Sequence, residues 1–125
     1  MADDHSDSLR TLIAAVLAFR DARDWRQFHT PRNLAAALAI EAAELQETLL
    51  WKSDAQVEAT ITQPDQREKV SEELADVLIY ALIFADSVGL DVVASVHDKL
   101  LKNAVKYPVE RARGTADKYT KYEPQ

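Results

Sequence analysis

Two pairs of carboxylates stand at helical spacing within stretches of sequence that are otherwise largely apolar. Glu41 lies three residues after Leu38, so a helix would place it on an apolar stripe, and Glu44 follows one turn further along. Glu73 and Asp76 repeat this spacing later in the chain, again leading into apolar sequence. If the two helices are antiparallel neighbours, the four side chains converge.

Four carboxylates that converge repel one another strongly unless a cation holds them. A set of oxygen ligands without His or Cys selects hard ions, so we expect Mg²⁺ as the cofactor and Mn²⁺ as the alternative. The other interpretation is that these acids only cover helix surfaces, because glutamate favours helices and a single E-x-x-E spacing is common. The residues alone leave both interpretations open.

The chain that must position these acids has 125 residues, the length of about one domain. Its 2 Gly and 4 Pro are too few for the turns of a many-stranded sheet, whereas a few long helices need few such breakers. We therefore predict an all-α fold built as a four-helix bundle-like unit. The predicted divisions are a flexible N-terminus, a helical domain that would carry any catalysis, and a C-terminal extension, at residues 1–7, 8–108 and 109–125.

Apolar periodicity and capping residues predict four helices, over about residues 8–23, 31–51, 66–88 and 92–107. The pair Thr30-Pro31 marks the start of the second helix, and Gly89 and Asp91 separate the third from the fourth. The third is apolar nearly all round in its second half, so we expect it to be the central helix, inside the bundle or at a subunit interface. Residues 52–65 lose the periodicity and contain Pro64, so they are predicted to form a connecting loop.

Composition argues against several classes of function. The 15 basic and 21 acidic residues give a net charge of −6, which disfavours nucleic acid as a partner. The absence of Cys excludes thiol catalysis and a disulfide scaffold. The longest apolar run, residues 77–85, is about half the length of a membrane-spanning helix, so no membrane partner is expected. The first residues carry no export or organelle signal, and a cytoplasmic location is expected.

Longer sequence motifs include or flank both acidic pairs: HTPRNL at 29–34, EAAELQE at 41–47, WK at 51–52, EELADVLIY at 72–80 and KNAVKYP at 102–108. Together they resemble the MazG-like superfamily of all-α nucleoside triphosphate pyrophosphohydrolases. Four further words are similar to its dCTP pyrophosphatase branch: RDW at 23–25, QFH at 27–29, RG at 113–114 and KYT at 118–120. The resemblance covers about residues 9–120, nearly the whole chain.

This resemblance implies an enzyme that hydrolyses dCTP, or a broader set of dNTPs, to the monophosphate and pyrophosphate in nucleotide-pool control. It implies Mg²⁺ held by the four acids named above. Such chemistry asks mainly for positioning and charge stabilisation, with a water attacking the α-phosphorus. Glu47 and Glu72 are the candidates to orient or deprotonate that water, and a solvated helix position is the other interpretation of Glu47.

The predicted phosphate-binding residues share the fourth helix and its end: Lys99, Lys102, Asn103, Lys106 and Tyr107. Lys102 and Lys106 form an i, i+4 pair that would point the same way, although a solvated basic face is the alternative. Arg32 begins the second helix and is expected either to reach phosphate or to tie down the preceding loop.

By the same resemblance, Trp25, Trp51 and Tyr80 line the pocket for base and sugar, because aromatic stacking suits any nucleobase. His29 either touches this pocket or caps the next helix. One position departs from the family pattern, because Val16 stands where the vertebrate-like dCTP enzymes have a His. A broader dNTP preference is therefore open beside a preference for cytosine.

The family implies a homodimer, or a homotetramer built from two dimers, and a single small helical unit has little room for a nucleotide. The rival class is a non-catalytic dimerisation or adaptor bundle, which the apolar run at 77–85 also suits. A di-iron carboxylate bundle needs Glu-x-x-His pairs, and neither Glu44 nor Glu73 is followed by such a His.

Overall fold

The computed structural model describes residues 8–124, and this part of the chain contains six α-helices and no strand. The all-α prediction is confirmed, and the predicted flexible stretch 1–7 lies outside the described residues. The helices are α1 (Leu9–Ala22), α2 (Pro31–Glu47), α3 (Asp54–Thr62), α4 (Pro64–Ser87), α5 (Val92–Lys106) and α6 (Val109–Ala112), and a short 3-10 helix follows at Tyr119–Lys121.

The chain divides into two compact units on either side of the bond between Gly89 and Leu90. The first unit contains α1 to α4, and the second contains α5, α6 and the 3-10 helix. The predicted extent of the helical domain, 8–108, stays a prediction. No single helix between residues 8 and 124 is long and apolar enough to cross a membrane, although α4 and α5 taken together meet that test by length and composition.

In the first unit, α4 packs against α2, α1 and α3. Its second half supplies three of the buried apolar side chains of the small core, Leu82, Ile83 and Ala85, and Val16 of α1 and Leu34 of α2 supply the others in the described part of the chain. Leu34 is 1% exposed. The prediction that this helix is central is therefore confirmed within the first unit, and α2 and α4 are held side by side.

The predicted starts of α2 and α5 are also confirmed. Thr30 caps α2 by accepting a hydrogen bond from the backbone N–H of Asn33 at 3.2 Å, with Pro31 in the first turn. Asp91 caps α5 by accepting from the N–H of Ala94 at 3.0 Å. Gly89 follows α4 with φ +70°, a left-handed conformation that glycine adopts at no steric cost.

The predicted loop at residues 52–65 is wrong, because α3 occupies most of it. Ser53 accepts from the backbone N–H of Gln56 at 3.2 Å, and the side chain of Gln56 accepts from the backbone N–H of Ser53 at 2.8 Å. This reciprocal capping box starts the helix. Pro64 is not part of a loop but stands in the first turn of α4, where its missing N–H costs nothing.

In the second unit, α5 has no buried residue, and the apolar side chains of Val96, Leu100, Leu101 and Val105 are more than half exposed. Beyond α5 the chain folds into an aromatic cluster. Tyr107 makes edge contacts with Tyr119 and Tyr122, at ring-centre distances of 5.9 and 6.1 Å. The extension is thus tied to the end of α5, whereas the apolar face of α5 is left open.

Candidate functional site

Three of the predicted metal ligands meet between α2 and α4. One carboxylate oxygen each from Glu41, Glu73 and Asp76 lies within 4.8 Å of the others, and all three residues are half-buried. The packing of α2 against α4 produces this meeting, because each helix directs its acids, spaced one turn apart, toward the other helix. We call these three residues together with Glu44 the acidic cluster.

Glu44, the fourth predicted ligand, lies beside the other three. Burial raises the pKa of Glu41 to about 7, and hydrogen bonding to Glu44 and the charges of Glu44, Asp76 and Glu73 add to the rise. Burial also raises the pKa of Glu73, followed by the charge of Glu44 and a hydrogen bond to it. The cluster therefore resists holding all its negative charges without a counter-ion.

The acidic cluster fits a hard divalent cation. Glu41 Oε2 and Glu73 Oε2 are buried and have no hydrogen-bond partner among residues 8–124. A buried carboxylate oxygen without a partner is costly, and a cation would satisfy both atoms at once. Because every donor is a carboxylate oxygen, the set suits Mg²⁺ or Mn²⁺ and not a soft metal.

A polar cavity of about 530 Å³ adjoins the cluster on the side of α3. Its lining includes two acids of the cluster, Glu44 and Glu73, and two cations, Lys52 and Lys69. Lys52 Nζ donates to the hydroxyl of Thr60 at 2.9 Å, and Thr60 is 4% exposed. The cavity thus places fixed positive charge close to carboxylates, as a site for metal-bound anions requires.

A second cavity of about 370 Å³, lined mainly by apolar side chains, lies between α1 and α4. Aromatic rings form much of its wall: the ring centre of Trp25 lies 5.8 Å from that of Phe19 and 6.2 Å from that of His29, and His29 lies 6.4 Å from Tyr80. We call it the aromatic cavity. These rings contact one another edge-on or tilted, and the flat aromatic surface that they give the cavity suits a planar heterocycle.

The acidic cluster lies between the two cavities, because Glu44 and Glu73 line the polar one and Asp76 lines the aromatic one. A ligand with a flat apolar end and an anionic end would therefore place its junction at the carboxylates. The acids thus stand between an apolar surface on one side and two lysines on the other.

Other predicted residues of the first unit divide between the site and the surface. Glu47 and Glu72 are both exposed, but Glu47 lines the polar cavity and Glu72 lines neither cavity. Arg32 is exposed near the start of α2. Trp51 does not line the aromatic cavity: it is 92% exposed and has φ +62°, an unusual conformation for a bulky residue.

The predicted phosphate-binding residues all belong to the second unit. Lys99, Lys102, Asn103 and Lys106 lie on α5, and Tyr107 follows at its end. Lys106 Nζ lies 5.2 Å from the centre of the Tyr119 ring, so one of these cations already contacts an aromatic neighbour. Their part in the site stays a prediction.

Sequence reasoning missed Lys52, Thr60 and Lys69 as functional candidates. If residues 52–65 form a loop, nothing in the sequence places Lys52 and Thr60 near the acids. The signal that could have found them is the S-x-x-Q word at 53–56, which predicts a helix start and hence a third wall for the site.

Comparison with known proteins gives three concordant findings. A model of the MazG-like family matches residues 36–121. The chain is 46% identical over 102 residues to dCTP pyrophosphatase 1 of Rattus norvegicus and 41% identical to that of Homo sapiens, in each case over 82% of this chain and 60% of the relative. The chain thus spans about three fifths of the length of these curated relatives. A crystal structure of a pyrophosphatase from Archaeoglobus fulgidus superposes with a TM-score of 0.73 at 38% identity, covering 80% of this chain and 92% of that one.

Proposed function

The chain belongs to the MazG-like family, and on that premise we propose that it is a Mg²⁺-dependent nucleoside triphosphate pyrophosphohydrolase. The observation that carries the proposal is the acidic cluster, in which buried carboxylate oxygens without partners lie between an aromatic cavity and a cavity lined by lysines. The proposed reaction converts a deoxynucleoside triphosphate to the monophosphate and pyrophosphate.

The two cavities give the substrate a direction. The base enters the aromatic cavity beside Trp25, His29 and Tyr80, and the outer phosphates extend past the carboxylates toward Lys52 and Lys69. In this orientation the α-phosphorus, which joins the nucleoside to the rest of the chain of phosphates, comes nearest the acidic cluster. Attack there releases pyrophosphate into the polar cavity.

Glu41, Glu44, Glu73 and Asp76 would hold the metal. A divalent cation bound by them supplies charge neutralisation for phosphate oxygens and lowers the pKa of water. The chain's own residues do the remaining work. Lys52, fixed by its hydrogen bond to Thr60, offsets charge that develops on the departing pyrophosphate.

Glu47 is the better placed of the two candidates for the base. It lies in the last turn of α2, one turn beyond Glu44, and lines the polar cavity beside the acids of the cluster, whereas Glu72 lines neither cavity. In the proposal Glu47 accepts a proton from the attacking water, and the departing pyrophosphate leaves toward the lysines.

The proposed substrate is dCTP or a broader set of dNTPs, in nucleotide-pool control. The similarity to proteins named dCTP pyrophosphatase 1 supports the first choice. Val16, which is buried in the wall of the aromatic cavity and replaces the His of the vertebrate-like enzymes, supports the second. The predicted cytoplasmic location and the predicted absence of nucleic-acid and membrane partners stay predictions.

The proposal includes a homodimer or a homotetramer. Trp51 is almost fully exposed and stands in a left-handed conformation that costs a non-glycine residue about 1–2 kcal/mol. Strained conformations of this kind persist when the surrounding structure holds them in place, and they cluster at active sites and ligand-binding segments. A second subunit that brings its own surface against Trp51 would complete a binding site that one protomer leaves open.

The test is a panel of canonical dNTPs and NTPs incubated with Mg²⁺ and scored for pyrophosphate against orthophosphate. Wild-type protein is expected to release pyrophosphate, and Glu41→Gln or Asp76→Asn to abolish the release while leaving the helical circular dichroism unchanged, because loss of a repelling carboxylate need not destabilise the fold. Glu68→Gln, an exposed position on the same helix as Asp76, is the control that retains activity. Cluster variants with wild-type turnover would rule out the metal site, whereas wild-type protein that releases no pyrophosphate from any nucleotide of the panel would favour an adaptor bundle.

A further inference from the structure

Arg20 is a charged residue buried in the wall of the aromatic cavity. Only 4% of it is exposed, and it lines the cavity together with Trp25, His29 and Tyr80. An arginine is rarely buried to this extent unless it is paired. The guanidinium therefore lies beside the space assigned to the nucleobase.

Two carboxylates hold the guanidinium in one orientation. Its Nε donates to Asp21 Oδ1 at 2.9 Å, and its Nη1 donates to Asp86 Oδ2 at 2.7 Å. Asp21 is the next residue of α1 and Asp86 lies near the end of α4, so the fork is fixed from two helices. These bonds take two of the five N–H groups of an arginine, and the planar group keeps further donors for another acceptor.

The positive charge of Arg20 acts on His29, which lines the same cavity. Burial lowers the pKa of His29, and the positive charge of Arg20 lowers it further. Of the residues from the described part of the chain that line this cavity, Arg20 is the one lysine or arginine. Val16, one turn earlier on α1, offers only an apolar surface to the same cavity.

We propose that Arg20 determines base specificity by donating to bases that present two adjacent hydrogen-bond acceptors, namely O2 and N3 of cytosine or O6 and N7 of guanine. This inference rests on the function proposed above. A guanidinium is a donor only, so it matches an acceptor pair in a bidentate manner. Thymine places N3–H between its two carbonyl oxygens, and adenine places an amino group beside N7, so each meets the fork with a donor. Cavity shape then decides between cytosine and guanine.

A purely structural role for Arg20, as a tie between α1 and α4, makes a different prediction. Loss of a tie would alter the melting temperature and would lower turnover of all substrates by a similar factor. Loss of a base contact changes the ratio between substrates. The change therefore appears in the ratio of kcat/KM between substrates, which reports lost transition-state binding whether it falls in KM or in kcat.

The experiment measures kcat and KM for dCTP, dGTP, dTTP and dATP with Mg²⁺, using wild type, Arg20→Lys and the control Arg10→Lys. Arg10 is an exposed arginine on the same helix. Wild type is expected to prefer dCTP or dGTP over both dTTP and dATP. In Arg20→Lys, which keeps the charge and loses the planar fork, this preference should fall roughly ten-fold to a hundred-fold, the range of a bidentate arginine contact. Arg10→Lys should keep it.

If Arg20→Lys fails to fold, the double variant Arg20→Met with Asp86→Asn is used in the same assay in place of Arg20→Lys. It removes both charges of the ion pair that joins α1 to α4. A wild-type preference for dTTP or dATP, or a variant in which all four substrates change by the same factor, overturns the inference and leaves the proposed function standing. Wild-type protein that releases pyrophosphate from none of the four overturns the proposed function and the inference with it.

Discussion

At the scale of single residues, Glu41 makes the stability of the metal-free protein depend on pH. Its pKa is raised from 4.5 to about 7, chiefly by burial and then by Glu44, so the folded chain binds a proton more readily than the unfolded chain. The stability gained from protonation is full below pH 4.5 and is lost as pH rises through 7. We therefore expect the melting temperature in EDTA to fall over this window by more in wild type than in Glu41→Gln, which is uncharged throughout.

Two additions make this comparison specific to the acidic cluster. The control Glu68→Gln, at an exposed position, should keep the wild-type pH dependence. Mg²⁺ added above pH 7 should raise the melting temperature of wild type and not that of Glu41→Gln, because the ion binds the folded state. Identical curves for wild type and Glu41→Gln in EDTA would contradict the prediction.

Lys52 is the second residue whose removal has a defined consequence. Its ammonium group donates to Thr60 at 2.9 Å at the wall of the polar cavity, which fixes its charge where pyrophosphate would leave. Lys52→Met should lower kcat/KM for the dNTP and weaken product inhibition by pyrophosphate, each by roughly ten-fold or more, since a hydrogen bond to a charged group contributes about 1.5–3 kcal/mol. Steady-state kinetics with added pyrophosphate measure both effects.

The matched control for Lys52 is Arg10→Met, which removes one positive charge from an exposed position outside the cavity. It separates loss of a local contact from a change in net charge, which acts at longer range and is screened by salt. Equal effects of the two substitutions, or unchanged pyrophosphate inhibition in Lys52→Met, would show that the polar cavity does not receive the phosphates.

At the scale of elements, the sequence predicts best those helices that carry strong signals at their start. Thr30 with Pro31 and Asp91 identify α2 and α5, and the apolar run toward Ala85 identifies α4 as central. The helix α3 was missed because its residues lack apolar periodicity and include β-branched Val57, Thr60, Ile61 and Thr62, which disfavour helices slightly. Capping and packing against α4 override that preference.

We therefore expect α3 to depend on its cap. Ser53→Ala removes the acceptor for the N–H of Gln56 and should lower the free energy of unfolding by about 0.5–2 kcal/mol, measured by urea denaturation. Ser71→Ala is the control, because Ser71 is an exposed interior residue of α4, where Ala is the better helix former. A loss as large in Ser71→Ala as in Ser53→Ala would show that the cap contributes nothing particular.

At the scale of the whole molecule, the sequence predicts the acids but not what surrounds them. Helical spacing was enough to place Glu41, Glu73 and Asp76 together, because that inference needs only the packing of α2 against α4. The position of Lys52 beside the acids depends on α3, for which the capping motif at 53–56 is the one local signal, and the burial of Arg20 depends on how α1 packs against α4, which no local pattern encodes. The exposure of Trp51 likewise follows from its left-handed backbone conformation, four residues after the end of α2, which the neighbouring residues in the sequence do not predict.

We expect the apolar face of α5 to mediate assembly of the protein. Val96 and Leu100, one turn apart, are 53% and 58% exposed, and a contiguous apolar face of this kind on a folded protein marks an interaction surface. A second copy of the chain is the expected occupant, so wild type should sediment as a dimer or a tetramer.

Val96→Asp with Leu100→Asp should give a monomer of 14.0 kDa with its helical circular dichroism retained, since neither residue is buried within its protomer. Ser95→Asp, an exposed polar position on the same helix, should leave the assembly intact. Because the open site at Trp51 is proposed to need a partner, pyrophosphate release should fall with the loss of assembly, and a fully active monomer would show that one protomer suffices.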